Sequence, residues 1–501
     1  MLYRKDIQIL RGIAVLMVVL FHLGLGGFNS GFLGVDVFFV VSGYLMAILY
    51  DPNKKLEFFK KRALRLLPAY YVVIGATVLA SILIVTPNEY NQVYVQTIYA
   101  DFFAPNIGDW MQNSYFSKIE FNPLLHLWSL GVEIQFYLII PVLVYLFSKN
   151  VLYLWLLASF SLVACLVLVE ISPKTSFFMM PMRLWEFLIG YVVAYYFSVN
   201  GAIKVTAGKR LVGSVFLLFI CAIPLFEVDG KSLSMFTGHP GLYALLISFS
   251  TGAVLAFGVA RNVEESIVGS ILETLGKYSY SIYLVHFPFI VLYLYKPFSG
   301  IDLQIDRLQD LVVLIISIAA LSFLSYHFVE KRLRQSNKIF FVLTAMPVAI
   351  MLAVGLGHNI QSQIYSDEEI KISNAFQDRP MWRCGKIFRV LNPDGITCEL
   401  TQRNPGKGNS IMLVGDSHAD SIKTVFADIA RTMGLRLYFL VPNNPLHQGS
   451  SVTVTTLINE AKVKNVSHIV LHYRTNAIPV STIGALAERA GEHDIRPLHK
   501  H

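Results

Sequence analysis

Arg11 and His22 both stand in the first apolar run of the chain. An ionisable group inside an apolar run is costly, so it is expected to face a cavity or a partner. Eleven residues at about 100° each sum to about 1100°, roughly 20° past three turns, so the two share one helix face. A rise of about 1.5 Å per residue sets them about 16 Å apart along the axis. A guanidinium grips phosphates as a planar fork, and an imidazole moves protons near neutral pH. A long anionic substrate could engage Arg11 at one end and meet His22 with its reactive end. The alternative is an interfacial anchor at Arg11 and a quietly packed His22.

More such residues follow. Asp36 lies in Gly34-Val35-Asp36-Val37-Phe38-Phe39-Val40-Val41-Ser42-Gly43. Arg62 and Arg65, three apart, form either a phosphate grip or a cytoplasmic charge marker. His126, Ser129 and Glu133 fall about a turn apart and share a face. Arg183 and Glu186 suit a local ion pair. His286 stands in Tyr283-Leu284-Val285-His286-Phe287-Pro288, and Glu330 precedes Lys331-Arg332. Far downstream, Gly415-Asp416-Ser417-His418 follows the apolar strand Ile411–Val414. A serine on a strand-to-helix turn exposes its hydroxyl and puts backbone N–H groups at the oxyanion position. Its alternative is a helix N-cap.

These residues need elements to hold them. The chain has 501 residues, 54% hydrophobic and 15% charged, against about 25% charged in soluble proteins. That excludes a soluble cytosolic enzyme, a disordered chain and a disulfide-rich secreted module. Windows long and apolar enough to span a bilayer fall near 7–27, 32–50, 66–86, 126–147, 151–170, 182–198, 210–226, 240–258, 279–296, 309–328 and 338–357. The first follows Arg4 and Lys5 without a cleavage pattern, so it reads as a retained anchor. The net charge of +8 sits in short loops, so it marks orientation, and no nucleic-acid partner is expected. With the N-terminus cytoplasmic, the inner loops hold most of the lysines and arginines, among them Lys54, Lys61, Arg62, Lys209, Arg210, Lys331 and Arg334. The outer loops hold only Lys118, Lys174, Lys231, Lys296 and Arg307. An odd span count then puts the tail outside.

Cys165 and Cys221 fall in spans as small apolar filler. Cys384 and Cys398 lie in the early tail, where an oxidising location favours a disulfide. No metal-ligand spacing occurs. Residues 358–409 read as a polar linker, and strands alternating with helices from Ser410 suggest a parallel α/β sheet.

In this order, the motifs resemble the acyltransferase-3 family of polytopic membrane acyltransferases. The likeness covers about residues 1–335: Arg11-x10-His22, Gly34 to Gly43, Arg62-x-x-Arg65, Trp128-Ser129-Leu130 with Glu133, Arg183 with Glu186, and the block ending at Pro288. The tail resembles an SGNH-hydrolase-like domain, with Gly415, Asp416 and Ser417 as its first block and oxyanion element.

The resemblance implies a polytopic α-helical membrane protein of about 10–11 helices with a small flavodoxin-like α/β soluble domain. The division is 1–335 membrane domain, 336–409 eleventh helix and periplasmic linker, and 410–501 SGNH-like domain. It implies a bacterial inner-membrane O-acetyltransferase, with acetyl-CoA as co-substrate and no permanent cofactor. The acceptor is a cell-surface polysaccharide or lipid-linked oligosaccharide, such as lipopolysaccharide O-antigen, peptidoglycan or exopolysaccharide. His22 is implied as general base or acyl relay, with Glu133 and Ser417 as further catalytic candidates. Arg11, Asp36, Arg62, Arg65, His126, Arg183 and His286 are implied on the binding side.

The tail departs from its family. No Asp-x-x-His closes it; Asp494 precedes His499 by five, Asn476 and Gly449 are weak matches, and an incomplete domain is expected. Two other functions fit the same residues on physical grounds: a polytopic transporter or flippase with a periplasmic binding domain, and a membrane-anchored SGNH esterase.

Overall fold

The computed structural model describes residues 3–375 apart from 26, 113–119, 200–205, 231 and 336–337. Beyond these it describes 384, 395–401, 410–442, 445–447, 450, 452–474, 478–493 and 495–499. The chain forms two compact units, Met1–Ser373 and Asn374–His501.

Among the described residues, eleven helices of sixteen residues or more build the first unit: α1 (Lys5–His22), α2 (Gly34–Leu49), α3 (Lys55–Ile84), α4 (Trp128–Lys149), α5 (Leu152–Ile171), α6 (Met180–Val199), α7 (Ala207–Ala222), α8 (Leu242–Phe257), α9 (Ile267–Tyr293), α10 (Leu308–Leu324) and α11 (Met346–Ile364). Each matches one apolar window. By length and composition alone, seven are apolar enough to cross a membrane: α2, α3, α4, α5, α7, α10 and α11 with their short extensions. The other four are α1, α6, α8 and α9. Of these, α1, α6 and α9 carry Arg11 with His22, Arg183 with Glu186, and His286. Helix α8 is apolar and falls outside the set on length alone.

Burial sorts the helices into inner and outer. The stretch Gly31–Leu49 is 72% buried, whereas Leu308–Arg334 is 17% buried. On the outer helices Trp155, Phe160, Ile316, Phe323 and Leu352 are exposed. Apolar side chains facing outward, on helices whose backbone groups pair internally, are the signature of a lipid-facing surface. The protein is a multi-pass membrane protein.

Small residues set the inner packing. A Cβ on Gly12 would come within 2.1 Å of Leu272 O, and one on Gly276 within 1.9 Å of Gln8 O. Helices α1 and α9 therefore touch backbone to backbone, as small residues permit in membranes. The same offset in residue number that relates Gly12 to Gly276 relates His22 to His286, so the two helices run parallel and in step. Gly43 against Phe187 O at 1.9 Å, and Gly190 against Val40 O at 1.9 Å, do the same for α2 and α6. Both parallel pairs agree with eleven alternating spans.

The helices differ from the windows mainly at their ends. Helix α3 begins at Lys55, ahead of the window at 66, because its basic first turns continue the helix past the apolar stretch. Helix α9 begins at Ile267 with a Ser266 side-chain cap on Gly269 N.

The second unit carries a five-stranded sheet in the order β1-β3-β2-β4-β5. Its strands are β1 (Thr397–Glu399), β2 (Ser410–Gly415), β3 (Arg436–Leu440), β4 (Val466–His472) and β5 (Arg496–His499). Strands β2 to β5 are parallel, and β1 pairs antiparallel with β3. The four parallel strands follow the order 2-1-3-4, which is the flavodoxin-like order as far as it goes. Along β2, Met412 and Val414 enter one core and Leu413 the other. Helix α12 (Ser417–Thr432) covers the Leu413 side with Ala419, Ala427 and Ala430. Helices α13 (Val454–Val463) and α14 (Val480–Gly491) cover the other with Leu457, Ala461 and Leu486.

The expected boundary at 410 falls inside this unit. Strand β1 belongs to the sheet, and Cys384 is disulfide-bonded to Cys398 within β1. The extra edge strand is short and antiparallel, so the sequence pattern of alternating strands and helices does not reveal it. Asn476, Gly449 and Asp494 lie outside the described residues.

Candidate functional site

A cavity of about 690 Å³ opens among α1, α2, α3, α4 and α9. Three arginines line it: Arg11 from α1, and Arg62 and Arg65 from the basic start of α3. Arg11 and Arg62, which the sequence separates by fifty residues, thus meet on one wall system. Arg62 Nε is buried without a hydrogen-bond partner. Opposite stands Glu133, whose Oε1 accepts from Ser42 Oγ and from Tyr137 Oη. The two hydroxyls are themselves 3.5 Å apart. Tyr137 lies four residues past Glu133, an i,i+4 spacing that would have flagged it in the sequence. Three guanidinium forks and one hydroxyl-braced carboxylate make the cavity strongly cationic.

At the far end of α1, His22 is 3% exposed. Its Nδ1 lies 3.2 Å from His286 Nε2. The tautomers follow from the carbonyls around them. His286 Nδ1 sits 2.7 Å from Tyr283 O and 3.1 Å from Ile282 O. Carbonyls only accept, so His286 carries its proton on Nδ1 and, when neutral, accepts at Nε2. His22 Nδ1–H must then donate to it. A neutral His22 therefore holds its basic lone pair on Nε2. His126 stacks nearby, 5.8 Å from the His286 ring centre, with Nε2 3.1 Å from Leu284 O. The Nδ1 of His126 has no hydrogen-bond partner.

Tyr283 and Ser129 separate cavity from histidines. Both line the cavity. Tyr283 Oη donates to His126 O at 2.8 Å and lies 2.6 Å from Ser129 Oγ. Sequence reasoning grouped His126, Ser129 and Glu133 on one face. In the structure Ser129 and Glu133 face the cavity, while His126 lies one turn earlier on the histidine side of the partition.

Comparison with known proteins fits this geometry. The acyltransferase-3 model, described as an acyltransferase domain, matches residues 4–327. The chain belongs to the acyltransferase-3 family. The O-acetyltransferase OatA of Staphylococcus aureus strain NCTC 8325 is 31% identical over 357 residues, covering 67% of this chain and 58% of that protein. The chain therefore aligns with little more than half the length of that curated relative. The "Putative O-acetyltransferase SAS0844" of S. aureus strain MSSA476 is 28% identical over 459 residues, 83% of this chain and 74% of that protein. No solved structure matches the chain.

Within this acyltransferase-3 chain, four of the residues implied on the binding side lie outside the cavity lining, His126 and His286 beside His22 and the other two elsewhere. Arg183 and Asp36 do not line the cavity. Arg183 Nη2 pairs with Asp36 Oδ1 at 2.9 Å, and Nη1 with Glu186 Oε1 at 3.2 Å, all with 0% side-chain exposure. His239 joins them, with Nε2 3.8 Å from Asp36 Oδ2. Phe39, Trp128 and Phe177 pack around the guanidinium at 5.5 to 5.9 Å. This is a sealed ionic knot that bonds α2 to α6. His239 was not foreseen, because a lone histidine before Pro240 in an outer loop carries no sequence signal. Glu330 is also tied down, accepting from Ser281 Oγ at 3.0 Å.

The tail places Ser417 as the first residue of α12, exposed at the carboxyl end of β2. Neighbours β3 and β4 lie on opposite sides of β2. This is the switch point where doubly wound sheets bind ligands. Asp416 caps the helix, accepting from His418 N at 2.8 Å, and also accepts from Arg474 N at 3.2 Å. Gly415 is required: a Cβ there would lie 1.8 Å from His472 O. Among the described residues no histidine hydrogen-bonds Ser417 Oγ; the nearby rings are His418 and His472, 6.3 Å apart.

Proposed function

We propose that the chain is an integral-membrane O-acyltransferase that moves an acetyl group from cytoplasmic acetyl-CoA to a hydroxyl of a carbohydrate outside the membrane. One observation carries the reading: helix α1 presents Arg11 to a three-arginine cavity and His22 to a buried histidine pair. The S. aureus relatives, named as O-acetyltransferases, support it.

Three guanidinium forks suit the phosphates of a nucleotide thioester. The thioester end would reach toward Ser129 and Tyr283. The acceptor hydroxyl oxygen attacks the thioester carbonyl, and its proton passes to His22 Nε2. The carbon–sulfur bond then breaks, and the departing thiolate takes that proton from His22. The products are one sugar ester and one thiol, with no net proton released. His286 keeps His22 in the tautomer this requires, as orienting partners do for catalytic histidines. Such general-base action contributes about 10²- to 10⁴-fold.

The bias of lysine and arginine to alternate loops supports a cytoplasmic N-terminus in a bacterial inner membrane. The Cys384–Cys398 disulfide supports an extracytoplasmic tail. Ser417, at the switch point, suits a second acceptor-side transfer or a specificity role for that domain.

Membranes carrying the full chain, supplied with labelled acetyl-CoA and cell-wall polysaccharide, test this. His22→Ala should remove at least 99% of the transferred label without loss of protein. Label surviving in His22→Ala but vanishing in Ser417→Ala would sink the His22 assignment.

A further inference from the structure

Between α3 and α4 the chain forms two short helices, Pro87–Asp101 and Pro105–Met111, neither of them a candidate span. They enclose a small pocket, apart from the arginine cavity, with free room for about one water molecule. Its polar lining is Gln96, Asp109, Gln112 and Asn122, with Tyr99 as one wall. That room suits one hydroxyl.

The lining is built and incomplete. Asp109 and Gln96 are each 5% exposed. Asp109 Oδ1 accepts from Asn122 Nδ2 at 2.8 Å, and Gln96 Nε2 donates to Phe121 O at 2.8 Å. The remaining oxygens, Asp109 Oδ2 and Gln96 Oε1, have no partner. A buried acceptor without a donor is destabilising, more so for a charged group, so two in one pocket call for a donor. Gly108 packs flat on the Tyr99 ring, where a Cβ would meet ring carbon at 2.6 Å, and this fixes the wall. Burial holds the Asp109 carboxyl well above the usual carboxylate range, against the Asn122 hydrogen bond and the Lys174 charge. A further donated hydrogen bond would favour its ionised form.

The pocket is joined to the histidines through the chain. Asn122 Oδ1 accepts from Leu124 N at 3.1 Å, and Leu124 both lines the pocket and opens the turn that carries His126. One side chain thus holds Asp109 with its amide and the approach to His126 with its carbonyl.

We propose that this pocket is the hydroxyl-binding subsite for the acceptor carbohydrate, with Asp109 Oδ2 and Gln96 Oε1 as the acceptors offered to one sugar hydroxyl. The proposal rests on the carbohydrate reading above and specifies where the acceptor is held.

Asp109→Asn is the sharp test. It keeps an oxygen for Asn122 and turns the open acceptor into an N–H donor. Membranes with the full chain would transfer label from acetyl-CoA to a soluble N-acetylglucosamine trisaccharide at varied concentration. The expected result is an acceptor KM raised at least about tenfold, with the KM for acetyl-CoA within about twofold. Gln96→Ala should raise the acceptor KM by a smaller factor in the same direction. An unchanged acceptor KM in Asp109→Asn overturns the subsite and leaves the transferase reading standing; water then fills the pocket. Both KM values moving together point to a structural role and overturn it too. If the wild type acetylates no sugar, the transferase reading falls and takes the subsite with it.

Discussion

Two arginine–carboxylate assemblies stand in the same bundle, and they differ in closure. In the knot, Arg183 meets Asp36 and Glu186 with no exposure at all. In the cavity, Arg11, Arg62 and Arg65 line the same space as Glu133, yet none forms a direct ion pair with it within 4 Å among the described residues. Glu133 is instead held by two hydroxyls. The knot spends its charge on joining two helices. The cavity keeps its guanidiniums available for something that enters. The knot holds one guanidinium between two carboxylates, and the cavity gathers three around one; what separates a structural charge from a functional one is whether its partner is already present.

That contrast can be broken. The largest effect should come from Arg183→Ala, which leaves two buried carboxylates without their cation. Breaking a buried pair costs about 3–5 kcal/mol. A large fall in thermal stability in detergent should follow; a wild-type melting curve would show the knot to be dispensable. Next is His286→Ala. Loss of the group orienting a histidine typically costs about 10- to 100-fold. The transfer rate should drop by that factor with little change in melting temperature, and His286→Gln, which retains an acceptor oxygen, should recover part of it. The smallest is Arg62→Lys. It preserves charge but loses the fork, so the KM for acetyl-CoA should rise about tenfold while stability stays within about 1 kcal/mol. A stability loss as large as that of Arg183→Ala would place Arg62 in the structural class.

Much of this was legible in the sequence. The Arg11–His22 spacing gave a shared helix, and each of the eleven hydropathy windows holds a helix among the described residues, seven of them apolar enough to cross a membrane. The parallel sheet followed from strands alternating with helices. The cavity partners were less legible, because Arg11, Arg62 and Glu133 meet only through packing. Arg183 and Asp36 looked like binding residues because an ionisable residue in a span reads the same whether its partner is a ligand or another helix. The pocket at Asp109 left no trace, since its acceptors are ordinary polar residues whose meaning appears only when their donors are found missing.

The partition at Ser129 and Tyr283 has an electrical consequence. On the proposed topology, with the arginine cavity toward one side of the membrane and the histidines toward the other, part of a membrane potential would fall between them. A unit charge crossing such a drop changes in energy by about 2.3 kcal/mol per 100 mV. An uncharged acyl group crosses at no electrical cost. On the proposed reading, the barrier can therefore pass the acyl group while the phosphates stay behind with the arginines, and the enzyme turns over without discharging the membrane it sits in.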